Sequence, residues 1–227
     1  MQHVVRLLST LALKGALHRL AGQYQAAAAT RIDADFAPTL GLLQRLRNGE
    51  TADVVILTKE GLDELVAEGT VAAESKVELA RSYVGIAVKA GGGHPDIATE
   101  QALRKALLAA RSVAYSQIGA SGIFFAGLIT RLGIASEINA KATITSGFTA
   151  ERLITGEADL AVQQISELKQ VSGIEIVGPI PHDLQTPAVF SAGRMTASKE
   201  AAQADALLRY LASREVAPVL REAGLEP

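Results

Sequence analysis

Three times within the first seventy residues, a short apolar run ends in a polar turn that opens a helix, and this recurrence restricts the fold more than any other feature. Val4–Leu8 is the first run, of the kind that forms a strand buried on both faces. It passes through Ser9-Thr10-Leu11-Ala12-Leu13-Lys14-Gly15 into a helix reaching about Tyr24, with Leu13, Leu17 and Leu20 on its inner face. Arg31–Phe36 alternates as a second strand, and Ala37-Pro38-Thr39 opens a helix to about Asn48, which Gly49 ends. Pro38 carries the fixed φ of a first turn, and Thr39 supplies a capping hydroxyl. Asp53–Leu57 is the third strand, and Thr58 caps a helix ending near Gly69. Repeats of this kind are βαβ units on a parallel sheet with right-handed crossovers. Ligands collect in such sheets where strand carboxyl ends meet helix amino ends, which is where Ser9, Thr10, Thr39 and Thr58 fall.

The same turn recurs further on, in Tyr115-Ser116-Gln117-Ile118-Gly119-Ala120-Ser121-Gly122 before the apolar run Ile123–Ile129. Ser121 stands as the expected N-cap, and the glycines let a ligand approach the backbone. The first amides of a helix lack internal partners and its dipole favours an anion, so the loop containing Ser116 and Ser121 reads as an anion seat. An ordinary strand-to-helix turn that binds nothing satisfies the same pattern.

Between and after these segments, Tyr83–Val88 is a strongly apolar strand, preceded by Arg81-Ser82. Gly91-Gly92-Gly93-His94-Pro95 is an exposed turn; no Gly-Lys-Ser/Thr follows it, which argues against a phosphate loop. A helix over about Thr99–Ala110 leads to the strand Ser112–Tyr115. Thr143–Thr145 is a short strand, Gly147–Thr155 a helix, and Asp159–Val162 a strand running into Gln163-Gln164-Ile165-Ser166. Ile174–Val177 and Ala188–Ala192 are further strands, followed by helices over about Ser198–Ala212 and Val216–Glu222. Tyr115, Phe124 and Phe125 belong to the core, while His94 and His182 face solvent. This order implies two lobes, residues 1–82 with 187–227 and residues 83–186, joined by crossings near Ser82 and near Gln185-Thr186-Pro187. A chain that crosses twice suits lobes closing on a ligand between them.

Composition narrows the function classes. Of the 227 residues, 48% are hydrophobic and 4% aromatic, which suits aliphatic helices packed on a parallel sheet and excludes disorder. The formal net charge is −2 and no basic run occurs, so nucleic acid is not an expected partner. Without cysteine there is no disulfide, thiolate site or thiol nucleophile, and the four histidines never stand at helical metal-ligand spacing; neither metal nor cofactor is expected. No apolar run is long enough for direct membrane insertion. The first residues lack the basic, apolar and cleavable order of a leader. The expected location is therefore the periplasm if a leader has been removed, and the cytoplasm if Met1 is the native start.

"LSTLALKGALHRLAGQY", "FAPTLGLLQRLRNGETADVVILT", "SYVGIAVKAG", "ASGIFFAGLITRLGI" and "GEADLAVQQISEL", taken in this order, resemble the molybdate-binding branch of the type II periplasmic binding proteins. The resemblance covers essentially the whole chain. It implies an α/β fold of two lobes, each a mixed, mostly parallel sheet flanked by helices, with a ligand cleft between them. It also implies that hydroxyls and backbone amides at the strand ends hold a tetrahedral oxyanion. Carried over by position, Ala12 replaces a family serine, so Ser9 or Thr10 must supply that hydroxyl. Thr39 stands at a second serine, Ser121 in a turn that donates an amide, and Gln164 at a binding tyrosine.

These departures, with Lys14, Arg81, Gln163 and Gln164 added near the expected cleft, suit a small di- or tricarboxylate better than a bare tetrahedral dianion. Arginine grips a planar carboxylate with a two-pronged fork. Lys14 opposes the dipole of the helix it begins, and two glutamine amides after an apolar strand are costly to bury unpaired. The ligand-binding candidates are therefore Ser9, Thr10, Ala12, Lys14, Thr39, Arg81, Ser116, Ser121, Gln163 and Gln164, with a small anion as partner. Some relatives of this branch are aconitate isomerases, which move a double bond by proton transfer, and the "QQIS" and "RS" segments are similar to theirs. Two classes of function stay open: a solute-binding protein, served by the membrane components of an ABC transporter if exported, and an isomerase of an unsaturated polycarboxylate. A cytoplasmic anion sensor is a third reading. No carboxylate or histidine stands out as a general base, which favours binding.

Overall fold

The computed structural model describes residues 3–227; Met1 and Gln2, on which the native-start reading turns, lie outside the described residues. The chain separates into two compact units, Met1–Arg81 with Ala188–Pro227, and Ser82–Pro187. In the first unit β1 (His3–Ser9) leads through a 3-10 turn, Leu11–Leu13, into α1 (Lys14–Ala28). Next come β2 (Thr30–Phe36), α2 (Thr39–Arg47), β3 (Val54–Thr58), α3 (Lys59–Ala67) and β4 (Val77–Ser82). The second unit runs β5 (Val84–Lys89), α4 (Glu100–Ala109), β6 (Val113–Tyr115), α5 (Ala120–Arg131), α6 (Ala135–Asn139), β7 (Ala142–Ile144), α7 (Glu151–Ile154), β8 (Leu160–Gln164), α8 (Ile165–Leu168) and β9 (Ile174–Pro179). The chain then returns to the first unit with β10 (Ala188–Arg194), α9 (Ala201–Leu211) and α10 (Ala217–Glu222).

The first sheet has the order β2-β1-β3-β10-β4. β1 pairs parallel with β2 and with β3, as the strand-turn-helix repeats require, and β10 pairs antiparallel with β3. β1 and β3 lie inside the sheet, which is why their central side chains, Arg6 apart, are apolar on both faces. One face buries Val5, Leu7, Val54 and Ile56 against α1, α9 and α10 through Leu17, Leu20, Leu207 and Leu220. The other packs Leu8, Val55 and Leu57 on Leu42 and Leu43 of α2 and Leu62 and Leu65 of α3. β2 is an edge strand: Ile32, Ala34 and Phe36 pack on the α1 side, while the alternate Asp33 and Asp35 share the face of Arg6 and Leu8 and meet Arg6 and Arg45. Gly49, at φ 93°, follows α2 in the left-handed conformation that suits a residue without Cβ.

The second sheet repeats the plan as β7-β6-β8-β5-β9, parallel through β7, β6 and β8 and antiparallel where β5 meets β8 and β9. Phe125, Leu128 and Ile129 of α5 pack with Leu103 and Leu107 of α4 on one face, and α7 and α8 supply Leu153 and Leu168 to the other. Tyr115 and Phe125 meet edge to face with ring centroids 5.2 Å apart.

Three local expectations from sequence are corrected. β4 was not among the expected strands, because Glu78 and Arg81 interrupt its apolar residues and it pairs at the sheet edge with a segment over a hundred residues away. The helix expected over 147–155 is the single turn Glu151–Ile154, since Gly147-Phe148-Thr149 is held in place by the side chain of Gln163. The helix expected from Ser198 begins at Ala201, because the Ser198 hydroxyl turns to Asp53 at 2.7 Å.

Candidate functional site

In the first unit, the hydroxyl-bearing residues gather at the carboxyl ends of β1 and β3 and the start of α2. Ser9 closes β1 fully buried, its hydroxyl donating to Thr10 O at 3.1 Å. Thr10 is extended, also buried, and its N–H donates to Ile56 O at 2.9 Å, which fastens the turn to β3. Ala12 is buried within the 3-10 turn that follows, so it contributes a methyl group to packing and a place in the backbone. Lys14 begins α1 half-buried, with Nζ 5.9 Å from the ring centroid of Phe36 at the end of β2. A cation over an aromatic face is favourable, and it offsets in part the dipole that lysine opposes there.

Thr39 is buried at the first position of α2, and its hydroxyl accepts the Thr58 N–H at 3.3 Å. The expected cap on its own helix is therefore corrected: Pro38 occupies the N-cap without a side-chain bond, and Thr39 ties α2 to the end of β3. Thr58 does cap α3, accepting from Gly61 N–H at 3.3 Å. Arg81 stands apart from this group. β4 lies three strands from β1, or about 14 Å at the usual strand spacing. Its exposed side chain borders a cavity of about 260 Å³ with Glu78, Val189 and Glu226, while its backbone exchanges two bonds with Glu226.

In the second unit, the loop after β6 departs from expectation at its cap. Gly119 is the N-cap of α5, and Ser121 lies buried inside the first turn. The hydroxyl that organises the loop belongs to Ser116, which accepts from Ile118 N–H at 3.3 Å and Gly119 N–H at 3.1 Å. The reason is steric as well as polar. A Cβ on Gly122 would lie 1.5 Å from Ser116 O, so the loop folds onto the helix start only because residue 122 is glycine. First-turn amides such as those of Ala120 and Ser121 have no partner within a helix, so the loop keeps donors suited to an anion.

At the carboxyl end of β8, both glutamines are buried and engaged with their own unit. Gln163 Oε1 accepts the Thr149 N–H at 2.7 Å and the Thr149 hydroxyl at 3.0 Å, while Nε2 donates to Gly147 O at 3.2 Å. With its nitrogen turned toward the backbone, the Gln164 amide donates to Ser82 O at 3.1 Å and to Tyr83 O and Ser82 Oγ at 3.2 Å. These bonds satisfy the pairing that two buried amides demand.

Glu167, three residues beyond Gln164, was not foreseen among the candidates and is only 7% exposed. Burial pushes its carboxyl up to about 8, although hydrogen bonds from the Gln163 side chain and the Gln164 backbone pull the other way. Gln164 is the N-cap of α8 and Glu167 its third residue, the arrangement in which an acidic side chain reaches back to the cap N–H. That spacing was readable in "QQISEL"; its burial was not. A cavity of about 470 Å³ in the same unit opens at the other end of β8, beside Leu160 and Asp159. Arg111 there is already paired with Asp159 at 2.8 Å, far along the strand from the hydroxyls and amides.

Sequence comparison places this architecture. A family model described as bacterial extracellular solute-binding protein matches residues 5–226. The chain belongs to that family. It is also 37% identical over 227 residues to an aconitate isomerase from a Pseudomonas species, a match covering 97% of this chain and 86% of the relative. Among solved structures, the periplasmic molybdate-binding protein of Azotobacter vinelandii superposes with a TM-score of 0.84 at 19% identity, covering 98% of this chain and 99% of the other. The sulfate-binding protein of Mycobacterium tuberculosis H37Rv gives 0.80 at 13% identity, covering 99% and 87%. These last two likenesses show the type II periplasmic binding fold. No described helix of the family member is long and apolar enough to cross a membrane.

Proposed function

We propose that this chain binds an unsaturated tricarboxylate of the aconitate class and moves its double bond by proton transfer. The observation that carries the reading is the 37% identity to the Pseudomonas aconitate isomerase, sustained along 97% of the chain. The donor chemistry agrees with it. Hydroxyls at Ser9, Thr10, Thr39 and Ser116, and the amides about Ser121, suit carboxylate oxygens. Lys14 adds a cation, while Arg81, on the edge strand β4, stands outside this set. Gln163 and Gln164 hold the backbone on which such contacts depend, and Ala12 shapes the turn beside Thr10.

A second reading, a solute receptor without chemistry, draws on the family's description and on the molybdate- and sulfate-binding structures that share the fold. In that case the partner is the membrane part of an ABC transporter and the location is the periplasm. One experiment separates the two. Purified protein is mixed with trans-aconitate in D₂O and followed by proton NMR, and melting curves are recorded with aconitate, citrate, molybdate and sulfate. Appearance of cis-aconitate at a rate proportional to protein supports the isomerase. Stabilisation by molybdate or sulfate, with no interconversion and no effect of any carboxylate, overturns it in favour of the receptor.

A further inference from the structure

The glycine-rich turn over residues 91–95 takes no part in the anion contacts above, yet Gly92, Gly93 and Pro95 line the cavity of about 470 Å³ in the second unit. This cavity opens at the carboxyl end of β5 and the amino end of β8, the opposite end of the sheet from Ser116, Gln163 and Gln164. Its floor is apolar, formed by the buried residues Val88, Leu153, Ala158 and Leu160. The space persists because small residues stand where larger ones would fit. α4 brings Ala106 and Ala109 to it, although leucine sustains a helix nearly as well as alanine. A Cβ on Gly93 would meet nothing within 4 Å, and its backbone lies outside the left-handed region, so the fold does not require glycine there. Around this apolar space the charges do not balance. Arg111 and Asp159 pair at 2.8 Å, and Lys141 Nζ donates to Leu108 O at 2.7 Å, which answers the negative end of α4. Glu175 turns to the Gly91 N–H and to His94. Lys89, exposed at the end of β5, has no ion-pair partner among the described residues and leaves the rim with an uncompensated positive charge.

We infer that this cavity is a second binding site, for an organic monoanion with a compact apolar body, such as a short branched or aryl monocarboxylate. The apolar body displaces water from Ala106, Ala109, Leu153 and Leu160, and the carboxylate meets Lys89 at the rim. The volume falls in the range of small-molecule sites, roughly 300–1,000 Å³, and the make-up, apolar walls with few polar groups, is theirs as well. Other ligand classes fit the lining worse. A bare oxyanion gains nothing from the apolar floor, and an organic cation is repelled by Lys89. A tricarboxylate brings three charges to one free cation, beside the carboxylate of Asp159. None of these residues belongs to the hydroxyl and amide set of the isomerase reading, so the two stand or fall separately.

The test titrates the full chain with phenylacetate, by calorimetry and saturation-transfer proton NMR. Two controls run beside it: 2-phenylethylamine keeps the body and reverses the charge, and acetate keeps the charge and removes the body. Wild type is expected to bind phenylacetate with a Kd of about 1 mM or tighter, and each control at least about tenfold more weakly. Ala109→Leu fills the cavity from an exposed position of α4 and should weaken phenylacetate at least about tenfold. Lys89→Gln should weaken it about tenfold, the worth of one charge-assisted bond. Both variants should keep the wild-type melting response to trans-aconitate, because the hydroxyls and amides lie at the other end of the sheet. Should Ala109→Leu not fold, Gly93→Leu closes the space from the loop, with the same loss expected. The site is overturned if phenylacetate fails to bind wild type below about 10 mM, if the amine binds as tightly, or if the filled variant binds unchanged. Competition between phenylacetate and trans-aconitate for one site overturns it too. Absence of aconitate turnover, with phenylacetate bound as expected, strikes the isomerase reading and leaves this site standing.

Discussion

Replacing Glu167 by glutamine should abolish a pH dependence of stability that the wild-type chain carries, whatever ligand the protein binds. The folded state holds the carboxyl up to about 8, against an ordinary value of 4.5, chiefly through burial. Below pH 4.5 the folded and unfolded chains both keep the proton, and the buried group is neutral. Between 4.5 and about 8 the unfolded chain releases its proton while the folded chain retains it, so stability falls as pH rises. Above about 8 the folded state must carry a buried charge, and the loss is complete. From 4.5 to about 8, at ~1.36 kcal/mol per tenfold change in proton affinity, the upper figure is roughly 5 kcal/mol. Relaxation and water entry around the charge reduce this, but even half is large against a typical total of about 5–15 kcal/mol. Wild type and Glu167→Gln should be melted in parallel at pH 5, 6, 7, 8 and 9, in buffers without carboxylate. Every other titrating group is shared, so it cancels in the difference. The variant should gain on wild type with rising pH, by about 5 °C or more between pH 5 and 8, and the gap should then level off. A difference that stays flat from pH 5 to 9 would refute the buried, proton-bearing carboxyl.

Two further perturbations probe the loop and the cation. Gly122→Ala places a methyl group 1.5 Å from Ser116 O, so backbone must move; we expect a loss of about 1–3 kcal/mol or more and weaker anion binding, and an unchanged melting temperature would contradict the close approach. Lys14→Ala should weaken aconitate or citrate binding at least about tenfold, if its ammonium makes one charge-assisted bond of roughly 1.5–3 kcal/mol, while leaving any binding of molybdate little changed; equal losses for both anions would remove its role in choosing carboxylates.

What was legible in the chain follows from the range over which each feature is determined. β1 and β3 announce themselves as short apolar runs and β2 by the alternation of an edge strand, and each has its turn and helix next to it in the chain. β4 does not, since Glu78 and Arg81 break its pattern and its pairing partner is β10. Positions at strand ends could be read for Ser9, Thr10 and Thr39, yet the duties of their hydroxyls could not. Thr39 serves Thr58, nineteen residues on, and Ser116 rather than Ser121 organises the loop after β6. Both outcomes are decided by which backbone groups tertiary folding leaves without partners.

The β8–α8 turn shows the same limit at its sharpest and also a way past it. Two glutamines after an apolar strand require partners, and that much follows from the cost of burying an amide unpaired. Whether those partners are ligand atoms or the chain's own Thr149, Gly147, Ser82 and Tyr83 depends on contacts that no local pattern encodes. Glu167 is different in kind. Its place three residues after Gln164 was readable from spacing alone, because an acid there reaches back to the cap N–H. The burial that pushes its carboxyl up is set by the elements packed over the turn, and the six residues of "QQISEL" carry no record of them.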